Sequence, residues 1–123
     1  LEATVPCVAC KIRATSEQLY TRTIGENATD QWLTKAYQDS DGLCLPHFRM
    51  ALRYARGSAE QQALVTLQRG VWEALLADLD TFREMHDHRR TGEYMQVERD
   101  SWLRVLRGMA GEDRMFGVDD SAD

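Results

Sequence analysis

The feature that most constrains the fold is a run of apolar residues at helical spacing in the second half of the chain. Leu64, Leu67, Val71, Leu75, Leu79 and Phe82 recur every three or four residues, and Val65, Trp72 and Leu76 widen the stripe. That period predicts one helix over residues 59–86, about 42 Å long at a rise of 1.5 Å per residue. A compact domain of this chain length has a radius of gyration of only about 14 Å. Such a helix must either bend at Arg69-Gly70 or carry one end past its neighbours to meet a second subunit. Ser58 and Gln61 read as a capping box at its start.

The remaining segments read as shorter helices. Val8, Ile12, Leu19 and Ile24 predict a first helix over 8–24, broken at Gly25-Glu26-Asn27. Thr29 or Asp30 can cap a second, with Trp32, Leu33, Ala36 and Tyr37 on its apolar face. Asp39-Ser40-Asp41-Gly42 has turn composition and leads into a third helix over about 44–56, with Pro46 in its first turn and Gly57 as its stop. After a break at Thr91-Gly92-Glu93, Asp100 or Ser101 caps a fifth, with Trp102, Val105, Leu106 and Met109 inward and Gly111 at its end. Trp32, Trp72 and Trp102 read as core anchors on three helices. No stretch alternates with strand period. The expectation is an all-α bundle of about five helices with a long fourth, a single domain over 1–111 followed by an acidic tail over 112–123.

Two short pieces carry the chemistry. Pro6-Cys7-Val8-Ala9-Cys10 and Gly42-Leu43-Cys44-Leu45-Pro46-His47 hold all three cysteines and one of three histidines. In each, two residues separate the potential ligands. Cys7, Cys10, Cys44 and His47 supply three thiolates and one imidazole, a complete tetrahedral set for Zn2+ that leaves no position open for water. Closed sites of this kind are structural, and this one would clamp the first and third helices together. Both pieces fall at helix starts, where unpaired N–H groups favour a thiolate. An iron-sulfur cluster accepts the same ligands, and Cys7 with Cys10 also has the spacing of a redox dithiol. Thioredoxin-like folds place that dithiol among strands, which are missing here.

Other clusters read more plainly. His86 continues the stripe of the fourth helix, and His86 and His88 with Glu84 converge on a second metal only if that helix has already ended. Arg49, Arg53 and Arg56 form a ridge after His47, read as a water-facing stripe paired with acids; anion binding beside the metal is the alternative. Serine-nucleophile, P-loop and dinucleotide-binding motifs are absent, so a binding or interaction module is expected rather than an enzyme.

Net charge is -5, but the tail from Glu112 holds five acids against Arg114, so the body is nearly neutral. That excludes a nucleic-acid partner on charge grounds, and no apolar run approaches the roughly 20 residues of a membrane span. Three cysteines cannot all pair within one chain, which disfavours a disulfide framework and points to a reducing, cytoplasmic setting. The expected partners are a second copy, through the long helix, or another protein.

The two cysteine-bearing pieces, together with Leu79-Asp80-Thr81-Phe82, Asp87 and Asp100-Ser101-Trp102-Leu103, resemble a family of small bacterial helical proteins classed as a domain of unknown function. The resemblance covers nearly the whole chain. In that pattern the opening is Cys-Pro-x-Cys, whereas Pro6 here precedes Cys7, and His88 stands where an aromatic is usual. It implies a metal or redox site and no established activity.

Overall fold

The computed structural model describes residues 7–85 and 100–111. They form α1 (Val8–Glu26), α2 (Gln31–Gln38), α3 (Leu45–Tyr54), α4 (Ser58–Met85) and α5 (Ser101–Ala110), with no strand among the described residues. The protein is all-α with a long fourth helix, as the periodicity predicts.

Local chemistry sets most of the helix ends. Asp30 caps α2, its Oδ1 accepting from the N–H groups of Trp32 and Leu33 at 2.9 and 3.0 Å. Cys44 occupies the N-cap of α3, with Pro46 in the first turn where its missing N–H costs nothing. Two expected ends differ. α3 stops at Ala55, whose backbone is extended, and Gly57 does not act as a left-handed cap. Ser58 is already the first residue of α4, and Gln61 N–H donates to the Gly57 carbonyl at 3.1 Å, so the helix begins one residue earlier than predicted and Ser58 lies inside it rather than at its cap.

α1 and α3 pack side by side and parallel. Glu17 faces His47, Gly25 meets Ala51 and Tyr54, and Glu26 pairs with Arg56 at 2.8 Å. Partners along much of this contact lie about 30 residues apart in sequence, and α2 belongs to the stretch that carries the chain back. The close approach depends on Gly25. A Cβ there would overlap the Ala51 carbonyl oxygen and lie 3.0 Å from Tyr54 Cβ. Around this contact sits the core of Ala28, Phe48, Ala51 and Leu64, flanked by Ile24, Leu43, Leu45, Leu52 and Trp72. Phe48 and Trp72 meet edge to face with centroids 5.6 Å apart.

Side-chain burial corrects two expectations. Trp32 is 79% exposed and Trp102 46% exposed, so of the three tryptophans only Trp72 packs on the core. On α1, Val8, Ile12 and Leu19 are exposed, and the helix buries Thr21 and Gly25 instead. A backbone-close helix pair selects small side chains at its seam. Thr21 fits because its hydroxyl is satisfied locally, donating to the Glu17 carbonyl at 2.6 Å.

α4 runs without interruption through Gly70. Its later half is met by α5, where Arg104 donates to Asp78 at 2.8 Å and to Asp100 at 3.1 Å. Part of this half is therefore covered within the chain. The arginine ridge is water-facing as expected, and Arg56 shares Glu26 with Arg22, an arrangement that holds the Glu26 carboxyl below its usual range. His86, Asp87, His88 and the acidic tail lie outside the described residues. No helix among the described residues is long and apolar enough to cross a membrane.

Candidate metal centre

The Cys44 half of the site is delivered by a turn that α4 holds in place. Gln68, fully buried on α4, accepts through Oε1 from the Tyr37 hydroxyl and from Leu43 N–H, the latter at 3.0 Å. Gly42 takes φ +69°, and a Cβ there would lie 3.1 Å from Val71 Cγ1. Only glycine adopts that conformation in that space without strain. Tyr37 is buried beside this turn, and burial pushes its pKa up to about 12. Cys44 directly follows Leu43.

Cys44 Sγ lies 3.1 Å from Nδ1 of His47, the i and i+3 residues of one helix start. The other ring nitrogen of His47, Nε2, is 4.0 Å from Glu17 Oε2 on α1, and Arg13 Nε approaches Glu17 at 3.6 Å. A Cβ placed on Gly111, at the end of α5, would meet the Cys44 sulfur at 3.5 Å. Cys44 and His47 open onto a cleft of about 880 Å³ that Arg13, Glu17, Trp72 and Arg104 also line.

The second half forms at the start of α1. Cys7 is the N-cap, its sulfur accepting from Cys10 N–H at 3.3 Å, and the two sulfurs are 3.0 Å apart. Hydrogen bonding from the Cys10 thiol, then from its backbone N–H, lowers the Cys7 pKa, and the same contact raises that of Cys10. Of the two, Cys7 gives up its proton more readily. Both are exposed, and all three cysteines are free.

Each pair suits a soft tetrahedral cation. With Zn–S near 2.3 Å and Zn–N near 2.0 Å, two thiolates on one zinc stand about 3.8 Å apart, and a thiolate and imidazole nitrogen about 3.5 Å. Each pair is within 1 Å of that spacing. The structure does not, however, bring the two pairs together: no group of three or more potential ligands forms among the described residues. The register of α1 on α3 explains the gap. With partners about 30 residues apart, the level of Cys44 on α1 falls about four residues, or 6 Å, past Cys10, and about seven residues, or 10 Å, past Cys7. Val8 and Ile12 are exposed, so the first turns of α1 have no buried apolar anchor to lose in closing that distance.

Sequence spacing identified the two pairs but not Glu17, Arg13 or Gln68 as their supports. Gln68 did leave a signal, an amide inside the Leu64, Leu67, Val71 stripe. Glu17 left none, because its place beside His47 follows from the parallel register alone. Chemically, a Cys–His contact backed by a carboxylate can hold a metal or, metal-free, can make a thiol more nucleophilic.

No curated protein and no solved structure matches this chain. A family model does match, across residues 2–115 and so both donor pairs and the full set of helices. The chain belongs to the family described as "Family of unknown function (DUF6062)".

Proposed function

We propose that this protein is a metal-holding helical interaction domain in which Cys7, Cys10, Cys44 and His47 take one Zn2+. The observation that supports this most is the pairing itself: two donor pairs, each close to tetrahedral spacing, sit at the starts of two helices packed in parallel, hence at one end of the molecule. Zinc would draw the start of α1 towards α3, and because the full ligand set is assembled only in the folded chain, its binding energy would add to folding. Four protein ligands leave no open position, so the metal's role is structural, and the reduced thiols it needs fit a cytoplasmic protein. The reduced chain is expected to take up one Co2+, with the visible absorption of tetrahedral thiolate-bound cobalt, and Zn2+ should displace it. Absence of cobalt uptake would overturn this reading.

The 3.0 Å separation of Cys7 and Cys10 favours a second reading, a dithiol that is oxidised to the Cys7–Cys10 disulfide as it reduces the disulfide of a partner to two thiols. A Cys7–Cys10 disulfide forming readily in glutathione buffer, in protein that binds no cobalt, would select it. Protein isolated with iron and broad visible absorbance would instead indicate a cluster on the same ligands.

The interaction surface we assign is the outward side of α4 and α5, where Val65, Leu76, Trp102, Leu106 and Met109 are exposed. A second copy of the chain is the simplest partner for it. Sedimentation should then show a dimer that dissociates when Leu76 and Leu106 are both changed to lysine, whereas a wild-type monomer at all concentrations would leave only other proteins as candidates.

A further inference from the structure

We infer that Glu17 is the positioning residue of this metal site, holding His47 so that the ring binds the metal through Nδ1 and presents Nε2–H to the carboxylate. The inference rests on the metal reading above and assigns to it a support that comes from a different helix.

The two ring nitrogens of His47 have separate surroundings. Nδ1 faces the Cys44 sulfur at 3.1 Å, so a cation shared by the pair has to sit on that side of the ring. Nε2 faces Glu17 Oε2 at 4.0 Å, a gap that one small side-chain rotation closes. A ligating histidine needs its second nitrogen fixed, because neutral imidazole carries one proton and its placement decides which nitrogen is free to bind. A carboxylate at Nε2 places the proton there and leaves the Nδ1 lone pair for the metal. Arg13, one turn before Glu17 on the same helix, lies 3.6 Å from the carboxylate and restrains it from the other side. Glu17 is half-buried, which shields this interaction partly from solvent.

The arrangement also ties the two helices at the site itself. Cys44 and His47 belong to α3, and Glu17 and Arg13 to α1, so orientation of the histidine depends on α1 keeping its register. Any movement of the α1 start that brings Cys7 and Cys10 to the metal is limited by this contact two turns further along.

The test uses zinc-loaded protein with ¹⁵N-labelled histidine, whose ring shifts report which nitrogen carries metal and which carries hydrogen. The expected result is metal on Nδ1 and hydrogen on Nε2; metal on Nε2 would overturn the assignment. In cobalt and zinc titrations, Glu17→Gln is expected to bind about 10- to 100-fold more weakly. Arg13→Ala should show a smaller loss, and metal-free melting should stay unchanged in both. Equal affinity of wild type and Glu17→Gln would remove the role of Glu17 while leaving the metal site standing. Failure of the wild type itself to bind cobalt would end both.

Discussion

Gly25→Val is expected to destabilise the fold by about 2–3 kcal/mol, seen as a lower urea midpoint with little change in slope. Two effects oppose each other at this position. Gly is a poor helix residue, and valine would recover about half a kcal/mol of propensity inside α1. Against that, the Cβ of any other residue overlaps the Ala51 carbonyl oxygen and crowds Tyr54. The obstacle is backbone, which no rotamer change can move aside, so the helices must separate. Separation loosens the cluster of Ile24, Phe48 and Ala51 that their contact closes. Overpacking therefore wins. Gly25→Ala should fall on the same side by a smaller amount, although on propensity alone it would gain about 1 kcal/mol. A stabilised Gly25→Ala would show that α1 and α3 can part without loss, and the proposed seam would have to be abandoned.

Gln68→Leu is the second large effect, at about 2–4 kcal/mol. The substitution keeps the volume roughly but orphans two groups, the buried Tyr37 hydroxyl and the Leu43 N–H, each costing about 1–3 kcal/mol when left unpaired. Part of this is offset, because Gln68 Nε2 is itself buried without a partner and disappears with the amide. Adding Tyr37→Phe should restore about 1 kcal/mol by removing one orphan, and additivity of the two losses would show that the residues do not communicate. Tyr37 also supplies a pH signature. Burial raises its pKa from about 10 to about 12, so the folded state holds the phenol proton more tightly than the unfolded state does. That contribution is complete below pH 10 and is lost as pH rises from 10 to 12. Tyr37→Phe should abolish that part of the alkaline slope.

The long helix was legible because its stripe persists for about five turns, and the caps of α2 and α3 because Asp30 and Pro46 act within three residues of themselves. The donor pairs were legible for the same reason: Cys7 with Cys10, and Cys44 with His47, are i and i+3 relations. What was not legible depends on register between helices. Nothing in the order of residues states that Glu17 stands opposite His47 rather than opposite Met50, or that the start of α1 overshoots the start of α3. Periodicity misled at Trp32 and Ile12, which sit at apolar-face positions of their own helices, because an apolar face is buried only where a neighbour reaches it. The α1–α3 seam, by contrast, is built from Gly25, which reads as a break, and from Thr21, which the apolar pattern passes over. Close contact between helices selects for smallness before hydrophobicity.

The parallel pairing of α1 and α3 also bears on how the chain reaches its native state. An antiparallel hairpin closes a connection of about five residues, whereas contacts such as those of Glu17 with His47 and Glu26 with Arg56 close about 30. On a logarithmic loop-closure law the longer closure costs about 1.6 kcal/mol more chain entropy before any contact repays it. The bonds of Gln68 to Leu43 and Tyr37 close loops of 25 and 31 residues, so seating α2 and its following turn on α4 carries an entropy cost of the same size. Whichever closes first, Cys7 with Cys10 and Cys44 with His47 come to the same end of the molecule only when α1 docks on α3.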